Sequence, residues 1–293
     1  KPVLLNNPLH RWSDWEQINE SEFLVILPAD SLTHPDKVLE SQMVRYDSKT
    51  KTYHSVLIKP GYRFSNISVS TSGEQVAYFE SKATGVSNPV LKILTLATGK
   101  IQEVKMDRVI TQVKWSSDET KLYFTAQNQG GAPLYVYDVA TKLVKQMTDN
   151  NTGILGFDLT KAGFVYAKTG IENPSEIYQQ SADSVRTFTS LNTGWLASKN
   201  IVRPTKHTFT NAKGQKVDYW VMKPTGFEVG KKYPVVLEIH GGPSAMWGTG
   251  EASMWHEFQY YAAKGMGVVY ANPRDSGGYG SDFLAANVKD WGA

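Results

Sequence analysis

"EIHGGPSAMWG", Glu238 to Gly248, decides how this chain is read. It follows a continuous apolar run, Val235-Val236-Leu237-Glu238-Ile239. A run of that kind reads as a strand buried in a parallel sheet. The pair Gly241-Gly242 at its end leaves the backbone open to close approach, because neither residue carries a Cβ. Pro243 fixes φ just beyond and limits how far the loop can wander. Two readings stand side by side: an ordinary turn after a strand, or a loop that offers an amide to a reacting carbonyl oxygen. His240 taken alone reads as a hydrogen-bonded structural histidine rather than a base.

Downstream, "EASMWHEFQYYAAKG" places Met254, Phe258, Tyr261 and Ala262 at helical spacing, with Gly265 where a C-terminal cap belongs. "MGVVYANP" is a second buried strand. Strand, glycine loop, helix and strand make a βαβ unit, which points to an α/β domain. Upstream, "KHTFTNAKGQKVDYWVMKP" reads as a hairpin turning at Gly214, and "FEVGKKYP" as a polar loop. This rhythm begins after Arg203-Pro204, so the domain boundary is expected near residue 200.

Residues 1–200 have a different pattern, and it repeats. "ISVSTSGEQVAYF" (67–79), "VKWSSDETKLYF" (113–124) and "FDLTKAGFVYA" (157–167) each read as a strand, a polar turn and a second strand. Phe79, Phe124 and Tyr166 occupy like positions, 45 and 42 residues apart. A second hairpin follows each: "LKILTLATGKIQEV", "LYVYDVATKLVKQM" and "EIYQQSADSVRTF", with "MVRYDSKTKTYHSVL" as an earlier copy. Four strands recurring every 40–50 residues are the mark of a β-propeller. Four blades are expected, at about 13–60, 61–107, 108–150 and 151–196. A β-sandwich with regularly spaced turns is the alternative, and four blades fit part of a larger ring. An open arc would leave edge strands unpaired.

Composition narrows the function classes. Hydrophobic residues at 41% and charged residues at 20% fit a soluble globular protein. Lys plus Arg number 31 against 28 Asp plus Glu, a net +3 that argues against a nucleic-acid partner. There is no apolar run near 18 residues, so no membrane span is predicted. With no cysteine, disulfides, thiolate metal sites and a cysteine nucleophile are excluded together. The chain has no His-x-x-x-His, no carboxylates clustered on one helix and no phosphate-binding glycine pattern after a strand; neither a metal nor a cofactor is expected. The compartment, cytoplasm or periplasm, is left open. Because the chain begins at Lys1, it is expected to be a processed or truncated product.

"YPVVLEIHGGPSAMWG", "WHEFQYYAAKG" and "VVYANPRDSGGYGSDF", in this order, closely resemble the prolyl oligopeptidase family of serine peptidases. The nearest branch is the acylaminoacyl-peptidase and dipeptidyl-peptidase-like group. The motif match covers roughly Tyr233 to Ala293 and is specific; the propeller match is architectural. The family joins a β-propeller to an α/β-hydrolase domain. The resemblance therefore implies a propeller over 1–200, followed by the N-terminal part of an α/β-hydrolase domain over 201–293. It also implies that the Gly242 amide is one oxyanion donor, that His240 and Gly241 shape the loop, and that Arg274 sits in a structural turn nearby. Asp275 stands where the family commonly has glycine.

A Gly-x-Ser-x-Gly elbow, which carries the nucleophile in such hydrolases, is absent from these 293 residues. Ser276 and Ser281 read as loop serines, and none of His10, His34, His54, His207, His240 and His256 follows a serine elbow. In the family the triad lies downstream of the "DWG" at Asp290-Trp291-Gly292. The expectation is thus a fragment of a serine peptidase that hydrolyses short peptides. It would be inactive alone and completed by the missing C-terminal part of the hydrolase domain as a second chain or segment. The alternative is an inactive propeller module that scaffolds partners. Glu172 is a candidate for gripping a substrate amino terminus, though Asn173-Pro174 beside it reads as a plain turn. Glu257 belongs to the shared motif without an assignable role.

Overall fold

The computed structural model describes residues 11–290 except 31, 35, 162, 182, 183 and 243. Of the residues named above, His10, Pro243, Trp291, Gly292 and Ala293 lie outside the described set. The repeats fold as four sheets of four strands, each built in chain order. The first is β1 (Asp14–Gln17), β2 (Glu22–Pro28), β3 (Ser41–Asp47) and β4 (Thr52–Ile58). The second is β5 (Tyr62–Val69), β6 (Gln75–Lys82), β7 (Val90–Thr95) and β8 (Lys100–Glu103). The third is β9 (Ile110–Trp115), β10 (Lys121–Ala126), β11 (Leu134–Asp138) and β12 (Val144–Gln146). The fourth is β13 (Gly153–Thr160), β14 (Gly163–Thr169), β15 (Glu176–Ser181) and β16 (Val185–Thr187). Neighbouring strands of the first, second and fourth sheets run antiparallel throughout.

Local chemistry explains why each repeat folds alike. The second strands are nearly continuous apolar runs, and in β2 and β6 five successive residues are buried. The fourth strands of the second, third and fourth sheets are short, and β8, β12 and β16 are largely exposed. The hairpin closing each of the first three sheets turns on a residue with positive φ. That residue is Gly99 (φ 70°) in the second, but Lys51 (φ 59°) in the first and Lys142 (φ 61°) in the third. A lysine there is strained relative to glycine. The Asp47 side chain helps hold its turn by accepting from the amides of Lys49 and Thr50, and Asp138 accepts from the amide and hydroxyl of Thr141. The same turn therefore forms with and without glycine.

Two compact units divide the chain: residues 1–123 with 136–144, and residues 124–135 with 145–293. In the first unit Leu24, Ile26 and Met43 pack with Phe64, Ile67, Val76, Tyr78 and Leu94. Each such side chain removed from water contributes on the order of 1.5–3 kcal/mol. The first strands of successive sheets are also joined by polar contacts. The Ile67 amide donates to Asp14 Oδ2 (2.9 Å), and Trp115 Nε1 donates to the Ser68 carbonyl (2.9 Å).

In the second unit a one-turn helix α1 (Thr193–Leu196) precedes a fifth sheet. Its elements are β17 (Thr205–Thr210), β18 (Lys216–Met222), β19 (Val235–Glu238), α2 (Trp255–Ala263), β20 (Gly267–Asn272) and α3 (Ser281–Leu284). The strand order is β17-β18-β20-β19. β17/β18 and β18/β20 are antiparallel, while β19/β20 are parallel. Helix α2 supplies Phe258 and Ala262 to a core with Trp220, Met222, Val268 and Tyr270. Tyr270 stacks between Trp220 (5.4 Å) and Phe258 (4.4 Å). Gly265 ends the helix with φ 82°, as its position in the sequence predicts.

β19 departs from the sequence expectation of a buried strand. Val235, Leu237 and Ile239 are 62–75% exposed. The reason is its place in the sheet: it is an edge strand, paired only with β20 among the described residues.

Candidate active site

His240 stands just past β19, and its ring is fixed from several sides. Nε2 lies 3.1 Å from Asn272 Oδ1 and 3.2 Å from Ser276 Oγ, and the ring packs edge-on against Trp247. Ser276 Oγ donates to the Pro273 carbonyl (2.7 Å), so it accepts from His240. Nδ1 lies 3.1 Å from the Gly241 carbonyl oxygen, so acceptors face both ring nitrogens. Ser276 is 1% exposed. A hydroxyl that is buried and already donating to a carbonyl is not poised as a nucleophile, and the Ser276–His240 contact is a structural one.

Gly241 and Gly242 are both exposed. Gly242 has φ 133°, and a Cβ there would lie 2.9 Å from the Ala245 amide nitrogen. That conformation is open to glycine and strained for other residues. The Gly242 N–H, on an exposed loop, has no backbone acceptor among the described residues. Gly241 lacks both constraints: its φ is not positive, and a Cβ would meet nothing within 4 Å.

The far side of the loop is held by backbone contact. A Cβ on Gly248 would lie 2.2 Å from both Cα and O of Gly130, and one on Gly250 2.4 Å from the Thr152 carbonyl oxygen. The Gly250 amide donates to the Gly130 carbonyl (2.9 Å), and the Gly130 amide lies 3.3 Å from Met246 Sδ. Gly130 and Gly248 thus form a seam in which two main chains touch with no side chain between them. The hairpin tip 127–133 and the segment 246–250 fit together only as glycine-rich backbones.

A polar cleft of about 500 Å³ is lined by Gln129, Lys206, Thr208, Lys216, Asp218 and Tyr279. Asp218 accepts from Thr208 Oγ1 (2.7 Å), Lys206 Nζ (2.7 Å) and Tyr279 Oη (3.1 Å). Burial alone would raise its carboxyl, but the bonds from Lys206, Thr208 and Tyr279 outweigh burial and hold it below the ordinary aspartate value. Burial pushes the Tyr279 phenol well above its usual range, so it remains a donor.

The other residues singled out in the sequence fall as follows. Asp275 takes φ 83°, the conformation for which glycine is the usual choice, and is buried. Aspartate tolerates positive φ better than most residues, so the turn forms here without glycine. Arg274 donates to the carbonyls of Ala286 (3.1 Å) and Asp290 (2.7 Å) and pairs with the Asp290 carboxylate, bracing the segment after α3. Glu172 forms an ion pair with Arg203 (2.5 Å), with both side chains more than half exposed. It is not brought near His240 by any contact found among the described residues. Glu257 accepts from Tyr261 Oη (3.2 Å); burial, and then its charge, raise the Glu238 carboxyl. Asn272, Asp218 and Tyr279 were not singled out in the sequence. Asn272 and Tyr279 lie within quoted motifs, but nothing in a linear motif says which side chains turn inward to meet a loop. Among the described residues no three His, Asp or Glu side chains are placed to hold a metal ion, and no helix is long and apolar enough to cross a membrane.

Comparison with known proteins places these features in context. Residues 191–291 match the acetyl xylan esterase family AXE1. The chain is 33% identical over 181 residues to the uncharacterized peptidase YuxL of Bacillus subtilis, covering 61% of this chain and 27% of that protein. It is 24% identical over 242 residues to dipeptidyl-peptidase 5 of Trichophyton equinum, covering 76% of this chain and 32% of the relative. The acylaminoacyl peptidase of Pyrococcus horikoshii superposes with a TM-score of 0.75 at 24% identity, over 94% of this chain and 42% of that one; this likeness concerns the fold. The chain is thus similar, over part of its length, to proteins named as peptidases. It spans about a third or less of the length of these two sequence relatives. Within that relationship the antiparallel sheets over 14–187 match the propeller-containing peptidase structures, and the glycine loop lies in the stretch that matches the esterase family.

Proposed function

We propose that this chain is the front part of a serine peptidase that hydrolyses short peptides of the acylaminoacyl or dipeptidyl type. In this reading the four sheets are propeller blades spanning residues 1–200, and residues 201–293 open an α/β-hydrolase domain. The Gly242 N–H serves as an oxyanion donor: it faces the carbonyl oxygen that becomes negative when a serine adds to the scissile peptide. The serine, with its histidine and acid, comes from a segment outside these 293 residues, which also covers the exposed edge of β19.

One observation carries the reading: an exposed N–H with no backbone acceptor among the described residues, on a glycine whose φ of 133° disfavours any residue with a Cβ. The sequence relatives named as peptidases support the substrate class. The test is Gly242→Pro in the complete protein, which removes the donor. One such donor is worth about 3–4 kcal/mol of transition-state stabilisation, so kcat should fall about 100- to 1000-fold on an acyl-amino-acid or dipeptide anilide. Unchanged turnover would refute the assignment.

A further inference from the structure

We propose that Asn272 is the positioning residue of this loop, a clamp that closes its neck and so aims the Gly242 amide. The inference rests on the reading of Gly242 given above. Asn272 is the last residue of β20 and is fully buried. Its carboxamide meets the main chain of Trp247 as a strand partner would. The Trp247 amide donates to Oδ1 (2.8 Å), and Nδ2 donates to the Trp247 carbonyl (2.7 Å). This pairing fixes which way the amide points. The same Oδ1 lies 3.1 Å from His240 Nε2, and the same Nδ2 donates to Tyr279 Oη (3.1 Å). Both protons and both lone pairs of the carboxamide are therefore used.

His240 and Trp247 are the two ends of the loop, and one side chain holds both. Gly242 lies between them. Tyr279 in turn donates to Asp218, which Thr208 and Lys206 hold in place, so the clamp is anchored to β17 and β18. Two other anchors act only on the Trp247 side: the Gly277 amide donates to the Ala245 carbonyl (3.1 Å), and Met246 meets Gly130. Among the described residues, loss of the Asn272 carboxamide would leave His240, just past the end of β19, held to the β20 end by its contact with Ser276. A donor must be aimed to within a fraction of an ångström to act on a transition state, so the main consequence falls on kcat.

The test compares Asn272→Asp, Asn272→Leu and Tyr279→Phe. It has two readouts: amide exchange by NMR at Trp247, and steady-state kinetics of the complete protein on a dipeptide anilide. Aspartate keeps the acceptors for Trp247 and His240 and loses both donors; leucine keeps the volume and loses every bond. The clamp predicts that Trp247 exchange accelerates from wild type to Asp to Leu, while amides within β20 stay protected. It also predicts that kcat falls about tenfold or more in the Asp variant with KM within about twofold. A residue that merely fills space would give the opposite order, with leucine better tolerated than a buried carboxylate, and that order would overturn the proposal. Exchange rising equally along β20, or unchanged at Trp247, would also overturn it. Should the leucine variant not fold, Asn272→Asp and Tyr279→Phe decide by the same readouts, the latter with the smaller effect. If the unmodified protein hydrolyses no peptide, the catalytic reading fails while the exchange measurement still decides the clamp.

Discussion

The glycine seam makes a sharp prediction for Gly248→Ala. The new Cβ would lie 2.2 Å from the Cα and O of Gly130, and those are backbone atoms with no rotamer to change. An ordinary contact is about 3.4 Å or more, so the two chains must part by roughly 1 Å. Overpacking of this kind costs about 1–3 kcal/mol. Loss of the bond from the Gly250 amide to the Gly130 carbonyl adds about 1 kcal/mol. Reduced chain entropy in the unfolded state returns about 0.4–1 kcal/mol. The net loss is roughly 2–3 kcal/mol, and a unit of this size should lose about 4–12 °C in Tm. Gly194→Ala is the control, since it sits in α1 where a Cβ meets nothing within 4 Å. Urea unfolding followed by tryptophan fluorescence compares them: Gly248→Ala should shift the midpoint down, and Gly194→Ala should leave it in place or raise it slightly. Equal midpoints for the two variants would refute the seam as a steric lock.

Two further predictions concern buried carboxylates. Glu80 is 5% exposed and accepts from Lys59 Nζ (2.6 Å) and Lys92 Nζ (2.7 Å). Glu80→Gln removes the carboxylate that both ammonium groups share, leaving the more distant and exposed Glu103 (4.0 Å from Lys92 Nζ), and should cost about 2–3 kcal/mol in denaturant unfolding, whereas Lys59→Met, at a more exposed partner, should cost less than about 1 kcal/mol. For Asp218, burial acts to raise the carboxyl, but the bonds from Lys206, Thr208 and Tyr279 leave it below its ordinary value of 3.8. A depressed folded value means the stabilisation is fully present above the unfolded value and is lost as pH falls from about 4 through the folded value. Asp218→Asn should therefore flatten the acid arm of the stability curve, read as the urea midpoint against pH; a curve parallel to that of the wild type would contradict the assignment.

The repeat was legible because its signals are local. Alternating strands and polar turns at constant spacing gave all four sheets, including turns where Lys51 and Lys142 stand in for Gly99. The βαβ segment was legible for the same reason: Phe258 and Ala262 face the core at helical spacing, and Gly265 ends the helix. The exposure of β19 was not legible, since an apolar run reveals what a strand can pack against and says nothing about where in the sheet the strand falls. In the loop, the sequence pointed to Gly242 because a glycine requirement is written in the residue itself. It could not point to Asn272, whose role depends on Trp247 and Tyr279 arriving from 25 residues before and seven after. Likewise Gly130 carries no motif, and its significance appears only when Gly248 is laid against it.

That contact bears on how such proteins can be recombined. The rhythm of the sequence changes near residue 200, and a chimaera joining the front of one relative to the back of another would naturally be cut there. The compact unit does not respect that junction, because residues 124–135 belong with 145–293. Gly130 and Gly248 would then come from different parents; a methyl group on Gly248 would hold the main chains apart, and one on Gly130 would meet the Trp220 ring at 2.5 Å. Crossovers that carry the hairpin tip 127–133 along with the later segment keep the pair together, so the exchangeable module is discontinuous in sequence.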